Sequence, residues 1–329
     1  MASQSRSGQW RVAAESRLAF GHGVDGPAGV VHVVAEYAPF ARTGGLAEAV
    51  AALAKWQAQG GVPISVILPL YRSVRRVAPS LVPVGRPMTV EFGPRTEQFR
   101  LLRLPVATGA PRVFFIEHDG YFDRGGLYGA GGADFADNGM RFGFFACAAL
   151  TALPRVNRGP FVLHAHDWHA ALAPVYLRTH FAGDPYYDRV RSVLSIHNAA
   201  FHGHFPVEIL PVIGLPGALY DWRFLEWYGR VNYLKGGMAF ADAVVTVSPT
   251  HAAELCTPVG GFGLHGAFQS LGDRLTGITN GIDQTLWDPE HDEHLPATYW
   301  IADLSGKRRC KASLQRAFGL PQHRDVPLV

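Results

Sequence analysis

Phe40-Ala41-Arg42-Thr43-Gly44-Gly45-Leu46-Ala47-Glu48 follows closely on an apolar run at residues 30–35. The spacing predicts a short buried strand, a glycine turn, and a helix with Leu46, Val50, Leu53 and Ala54 along one face. Such a turn aims free backbone N–H groups and the positive helix end at whatever lies beyond the strand. Two adjacent glycines let the backbone approach a ligand closely, and Arg42 adds a fixed positive charge beside them. A phosphate or a sugar suits the place. A plain strand-to-helix connection has the same local pattern.

Apolar, β-branched runs recur at 64–68, 99–104, 113–117, 161–164, 193–197, 243–248 and 275–279. Helix-like stretches at 46–57, 138–153, 170–180 and 228–241 separate several of them. Continuous apolar strands alternating with helices predict an α/β fold with a largely parallel sheet covered on both faces. The 99–104 and 113–117 runs flank Thr108-Gly109-Ala110, which predicts one antiparallel hairpin. Ligands of such sheets bind at the carboxyl ends of the strands, so the polar residues just after each run carry the functional reading.

The chain has 329 residues, 48% hydrophobic and 17% charged, with a net charge of +3, which describes a folded globular protein. Its basic residues are scattered apart from Arg75-Arg76 and Lys307-Arg308-Arg309, giving no basis for a nucleic-acid partner. Cys147, Cys256 and Cys310 are far apart and form no Cys-x-x-Cys pair, which predicts reduced, packing cysteines. No window reaches the roughly 18 apolar residues of a membrane helix. Residues 1–29 hold Arg6, Arg11 and Arg17 but few acids and no apolar core. They are expected to be a disordered leader, with a transit peptide or an overlong start as alternatives, and the folded domain to span 30–329.

His164-Ala165-His166-Asp167-Trp168-His169 ends one run. Three histidines and an aspartate suit a metal or a sugar; the purely structural alternative makes Asp167 the cap of the next helix and buries His164 with a hydrogen bond. His197-Asn198 ends the next run, and its imidazole and amide can bond hydroxyls without ionising; a loop packed on itself is the alternative. Asn280-Gly281-Ile282-Asp283 is also a good tight turn. Residues 123–129 form a glycine-rich loop in which an exposed Tyr128 would stack on a sugar ring; a packing role for Tyr128 is the alternative. Nothing resembles a nucleophile elbow, a Walker loop or a cysteine nucleophile.

In order, these segments resemble the glycogen/starch synthases, glucosyltransferases that extend α-1,4-glucan from ADP-glucose. The resemblance rests on Arg42-Thr43-Gly44-Gly45-Leu46, Tyr121-Phe122-Asp123-Arg124, Asp137-Asn138 before Arg141-Phe142, and the His164–His169 stretch. It continues through His197-Asn198, Asn232-Tyr233-Leu234-Lys235-Gly236-Gly237, residues 246–250, residues 277–283 and a helix at 311–321. The family's usual lysine is Arg42 here and its usual aspartate is Glu48.

The resemblance implies a Rossmann-like parallel sheet sandwich, the N-terminal, acceptor-side half of a GT-B glycosyltransferase fold, with the start of the interdomain link. The family's C-terminal donor-binding domain is expected to lie outside the chain. Implied chemistry is retaining transfer of glucose to a non-reducing 4-hydroxyl, with His197 and Asn280 as catalytic residues holding glucosyl hydroxyls. Arg42, Gly44 and Gly45 would face the donor's diphosphate and sugar. Tyr128 and Asp167 would line the acceptor side, and Glu48, His169 and Asn198 complete the expected site. No cofactor or metal is implied. The expected partners are ADP-glucose, an α-1,4-glucan (glycogen, starch or maltooligosaccharide) and a separate C-terminal GT-B domain. The expected location is the cytoplasm, or the plastid stroma if the leader is a transit peptide. A catalytically silent glucan-binding module is the alternative.

Overall fold

A computed structural model describes residues 29–329, so the expected leader at 1–28 lies outside the described residues, and Gly29 already belongs to the first strand. The chain divides into two compact units, the first running to Asn280 and the second from Gly281. The first unit runs β1 (Gly29–Val33), α1 (Gly45–Gln59), β2 (Ile64–Pro69), β3 (Met88–Phe92), β4 (Arg95–Arg103) and β5 (Arg112–Glu117). It continues through α2 (Asn138–Val156), β6 (Phe161–His166), α3 (Leu172–Arg178), β7 (Arg191–Ile196), α4 (Tyr233–Phe240), β8 (Ala243–Thr246), α5 (Pro249–Leu255) and β9 (Leu275–Gly277).

The main sheet has the order β9-β8-β7-β6-β1-β2-β5-β4, ending at the two-residue strand Val82–Pro83, with β3 paired to β4. From β9 to β5 every pairing is parallel. β4 runs antiparallel to β5, so the expected hairpin is present. All six residues of β2 and five of the six in β5 are buried, as apolar strands sheathed on both faces must be. The chain moves outward from β1 to β2 and β5, then returns to place β6 on β1's other side. That reversal makes the carboxyl ends of β1 and β6 a topological switch point, where a crevice forms naturally.

α2 is buried almost all round, and Phe142, Phe144 and Phe145 are fully enclosed. Arg141 of the same helix is fully buried too. Its guanidinium donates to the Tyr121 carbonyl at 2.7 Å, Asn138 Oδ1 at 2.6 Å and the Leu127 carbonyl at 3.0 Å. The faces of Phe135 and Phe142 lie 4.9 and 5.3 Å from it. A buried cation is tolerable only with such partners. Arg141 thereby staples the 121–128 loop, which delivers Tyr128 to the carboxyl edge.

Three expected helices differ in extent. The one expected at 228–241 is only α4, because Tyr228 and Gly229 have φ of 46° and 78°, outside the right-handed helical range. Arg230–Asn232 instead pairs antiparallel with His204–Phe205 and Glu226–Trp227, and Asn232 Oδ1 caps α4 by accepting from the Lys235 amide at 2.9 Å. The helix expected at 170–180 is α3 alone, and a separate one-turn helix, Asp167–Ala170, precedes it. In the second unit the expected 311–321 helix is α6 (Ser305–Ala317), which begins earlier and ends before Pro321. The three cysteines are unpaired, with Cys147 buried. Among the described residues no helix is long and apolar enough to cross a membrane.

Arg141→Met keeps the bulk of the side chain but orphans the buried Tyr121 carbonyl, the Asn138 amide oxygen and the half-buried Leu127 carbonyl. It is expected to lower unfolding stability by roughly 3 kcal/mol. An unchanged urea midpoint at an unchanged slope would refute the staple.

Candidate functional site

The parallel register pairs His32 of β1 with His164 of β6, and Ser195 of β7 with His166 of β6. Alternation along each strand sets these four side chains on one face of the sheet. His197 follows β7 by one residue and continues the stripe. His32 and His166 are fully buried. His32 Nε2 lies 2.9 Å from Gln57 Oε1 on α1, and His32 Nδ1 lies 3.0 Å from His166 Nε2. His166 Nδ1 lies 3.1 Å from His197 Nε2, and His164 Nε2 bonds Ser195 Oγ at 2.7 Å. Burial pushes the His32 and His197 imidazoles down to about 4 and holds His164 and His166 well below the usual histidine range, so all four are neutral.

His32, His164 and His166 bring ring nitrogens within 4.8 Å of one another, a spacing a metal ion can use. Both nitrogens of His32 and of His166 are already engaged in hydrogen bonds, so a metal would have to break this chain to enter. Asp167 does not join the cluster.

Asp167 has φ of +53°, a left-handed conformation that a non-glycine residue adopts at a cost of order 1 kcal/mol or more. The expected N-cap role is corrected: no side chain caps the short helix that begins here, and the Asp167 carboxylate reaches the neighbouring strand instead. Oδ1 accepts from the His197 amide at 2.7 Å and the Asn198 amide at 3.4 Å. The bond clasps the end of β6 to the end of β7. Burial raises the Asp167 carboxyl to about 7, with the two amides acting in the opposite direction.

Glu36, three residues past β1, is a buried carboxylate that organises the glycine turn. It accepts from the Thr43 amide at 2.5 Å, the Thr43 hydroxyl at 2.7 Å, the Gly44 amide at 3.4 Å and the Tyr128 hydroxyl at 2.6 Å. The Gly44 N–H expected to face a donor is thus turned toward an internal anion at the start of α1. Tyr128 is likewise not an exposed platform: its ring stacks on His169 at 4.4 Å, and His169 stacks on Trp168 at 4.1 Å. Burial lowers His169 to about 3 and leaves its Nδ1 without a partner.

Neither Gly44 nor Gly45 has a positive φ, and a Cβ at either would meet nothing within 4 Å. The chain's own packing gives these glycines no reason to be glycine, which leaves the open space above them. Arg42 stands beside that space, its side chain 70% exposed, paired with Glu48 at 3.2 Å. Asn198 is exposed and turns its Oδ1 back to the Ala200 amide at 3.0 Å. Asn280 is exposed past β9, two strands along the sheet from β7, so it stands apart from the histidine stripe. Sequence patterning does not mark His32, Glu36, Gln57 and Ser195; a lone histidine inside the buried run and a lone glutamate just after it are the available signal.

A family model described as the starch synthase catalytic domain matches residues 29–270. The glycogen synthase of Syntrophotalea carbinolica is 42% identical over 300 residues, 91% of this chain and 62% of that protein. The glycogen synthase of Anaeromyxobacter dehalogenans strain 2CP-C is 41% identical with the same coverage. The chain belongs to the starch synthase catalytic domain family. The catalytic domain of starch synthase IV from Arabidopsis thaliana, bound to ADP and acarbose, matches with a TM-score of 0.78. It is 31% identical, over 90% of this chain and 60% of that one. The expected α/β, GT-B-type fold class therefore stands. The chain spans about 62% of the length of the curated relatives it matches.

The site's titrations predict a signed pH dependence. Neutral buried imidazoles bind fewer protons folded than unfolded, so each removes stability as pH falls from about 6.5 toward about 4. Asp167 works oppositely: its raised carboxyl favours the folded state below about 4, and that contribution is lost as pH rises to about 7. Each group is worth on the order of 1.4 kcal/mol per pH unit, and several histidines outweigh one carboxyl. Denaturation at pH 7 and pH 5 should therefore show net acid destabilisation. Asp167→Asn, which keeps the accepting oxygen, should make that destabilisation steeper; a shallower slope would overturn the assignment.

Proposed function

We propose that this chain is the acceptor-side domain of an ADP-glucose-dependent glucosyltransferase that extends α-1,4-glucan with retention. The observation that carries the reading is the switch-point edge. Neutral histidines, a buried carboxylate clasp and two glycines with no packing role converge where an α/β sheet binds its ligands. Uncharged imidazoles and amides suit sugar hydroxyls, which need hydrogen-bond partners and not ions. The family membership and a relative bound to ADP and acarbose support the same donor and acceptor classes.

In this reading His197 and Asn280 hold glucosyl hydroxyls as positive charge develops on the ring, with Asn198 and His169 beside them. Gly44 and Gly45 leave room for the donor, and Arg42, released from Glu48, meets its diphosphate. Asp167 acts on the acceptor side by fixing the His197-Asn198 loop, and Tyr128 by holding Glu36 and His169 in place. Stabilising the departing ADP is the main catalytic term, supplied jointly with the C-terminal domain that the family resemblance implies.

Calorimetry with ADP-glucose and maltooligosaccharides tests the assignment. Glucan affinity is expected to be weak, on the order of millimolar, because each hydroxyl contact contributes only about 1 kcal/mol. Arg42→Ala should impair ADP-glucose binding and spare the glucan. Gly44→Ser should do the same while leaving the unfolding free energy within about 0.5 kcal/mol of the parent, since serine is a good N-cap and meets nothing there. Elongation is expected only with the family's C-terminal domain fused or added. If neither variant alters donor binding, the donor assignment fails; binding without any elongation in the two-domain form would identify a silent glucan-binding module.

A further inference from the structure

We propose that Gln57, a residue of α1 outside the ligand-facing edge, sets which ring nitrogen of His197 carries the proton, acting through His32 and His166. The inference rests on the reading of His197 as a sugar-contacting residue only for its consequence, not for its geometry.

Four side chains form an unbranched line: Gln57 Oε1 to His32 Nε2 at 2.9 Å, His32 Nδ1 to His166 Nε2 at 3.0 Å, and His166 Nδ1 to His197 Nε2 at 3.1 Å. An amide oxygen only accepts, so His32 Nε2 must carry the hydrogen. A neutral imidazole has one N–H, so His32 Nδ1 then presents a lone pair and must accept from His166 Nε2–H. The same rule passes along the line: His166 Nδ1 accepts from His197 Nε2–H, leaving His197 Nδ1 as a lone pair. That nitrogen has no hydrogen-bond partner among the described residues, and His197 is half-buried at the carboxyl edge. Neutrality of all three rings, which burial supplies, is what makes the chain directional; a second proton on any ring would break it.

His164 stacks against both His32 and His166, at 4.9 and 4.2 Å, but its hydrogen bond goes to Ser195. It packs the line without belonging to it. Reversing the polarity at His197 requires three protons and the Gln57 amide to turn together, so the line is a two-state element. In the state described, His197 accepts a hydrogen bond from a substrate hydroxyl and does not donate one. Gln57, His32 and His166 are positioning residues.

Imidazole 15N–1H correlation spectra of the 15N-labelled 329-residue chain at pH 7, without ligand, test the proposal. His32, His166 and His197 should each show a protonated Nε2 and a lone-pair Nδ1. Gln57→Met keeps the side-chain length and removes the acceptor; the His197 preference should be lost, its two nitrogens moving toward averaged shifts. Gln57→Glu, which also accepts, should restore the parent pattern. His197 found as the Nδ1–H tautomer, or unmoved by Gln57→Met with unchanged circular dichroism, overturns the proposal. Because the spectra use no ligand, a broken line leaves the glucosyltransferase reading standing, and a chain that fails to bind ADP-glucose leaves the line standing.

Discussion

The register of β6 between β1 and β7 is the constraint on which the carboxyl edge depends. Setting His32 beside His164 and Ser195 beside His166 aligns residues from three distant parts of the chain into one polar stripe. A slip of one residue would turn β6's histidines to the sheet's other face, against apolar packing, and part them from His32. Apolar neighbours such as Val31, Val33, Leu163 and Leu194, all essentially buried, hold that register by making any slip expose them to polar surroundings. Hydrophobic packing thus fixes the geometry of the polar line, and the polar line in turn rejects alternative registers.

Placing so many polar groups in a sheet core is normally costly, several kcal/mol for each that lacks a partner. Two devices lower the cost here. The histidines stay neutral and bond one another, so no net charge is buried along the stripe. The two carboxylates sit where backbone N–H groups converge: Glu36 at the start of α1 and Asp167 against the turn after β7. Each carboxylate ties a loop at the crevice to the rigid sheet, and the left-handed backbone at Asp167 is what that reach requires.

Much of this was legible in the sequence because it is local. The strand–glycine–helix at 30–57, the hairpin about Gly109 and the polar strand ends at His164 and His197 all follow from periodicity and turn chemistry. The helical pattern at 228–241 outruns the helix because Tyr228 and Gly229 form the left-handed turn between the antiparallel strands Glu226–Trp227 and Arg230–Asn232. Tyr128 looked exposed because glycines flank it, yet the Arg141 staple folds its loop inward. His32, Glu36 and Gln57 were out of reach for a different reason. His32 meets His166 across 134 residues and Glu36 meets Tyr128 across 92, and only the folded chain brings them together.

The empty space over Gly44 and Gly45 separates two pressures that usually act on the same residue. Folding asks for neither glycine, since the backbone there is ordinary and no neighbour is near. Over evolutionary time, drift at these two positions is therefore unopposed by stability, and whatever keeps them small must come from outside the chain. Among homologues, a descendant that had lost its ligand would be recognisable there first, by side chains accumulating on an otherwise intact turn.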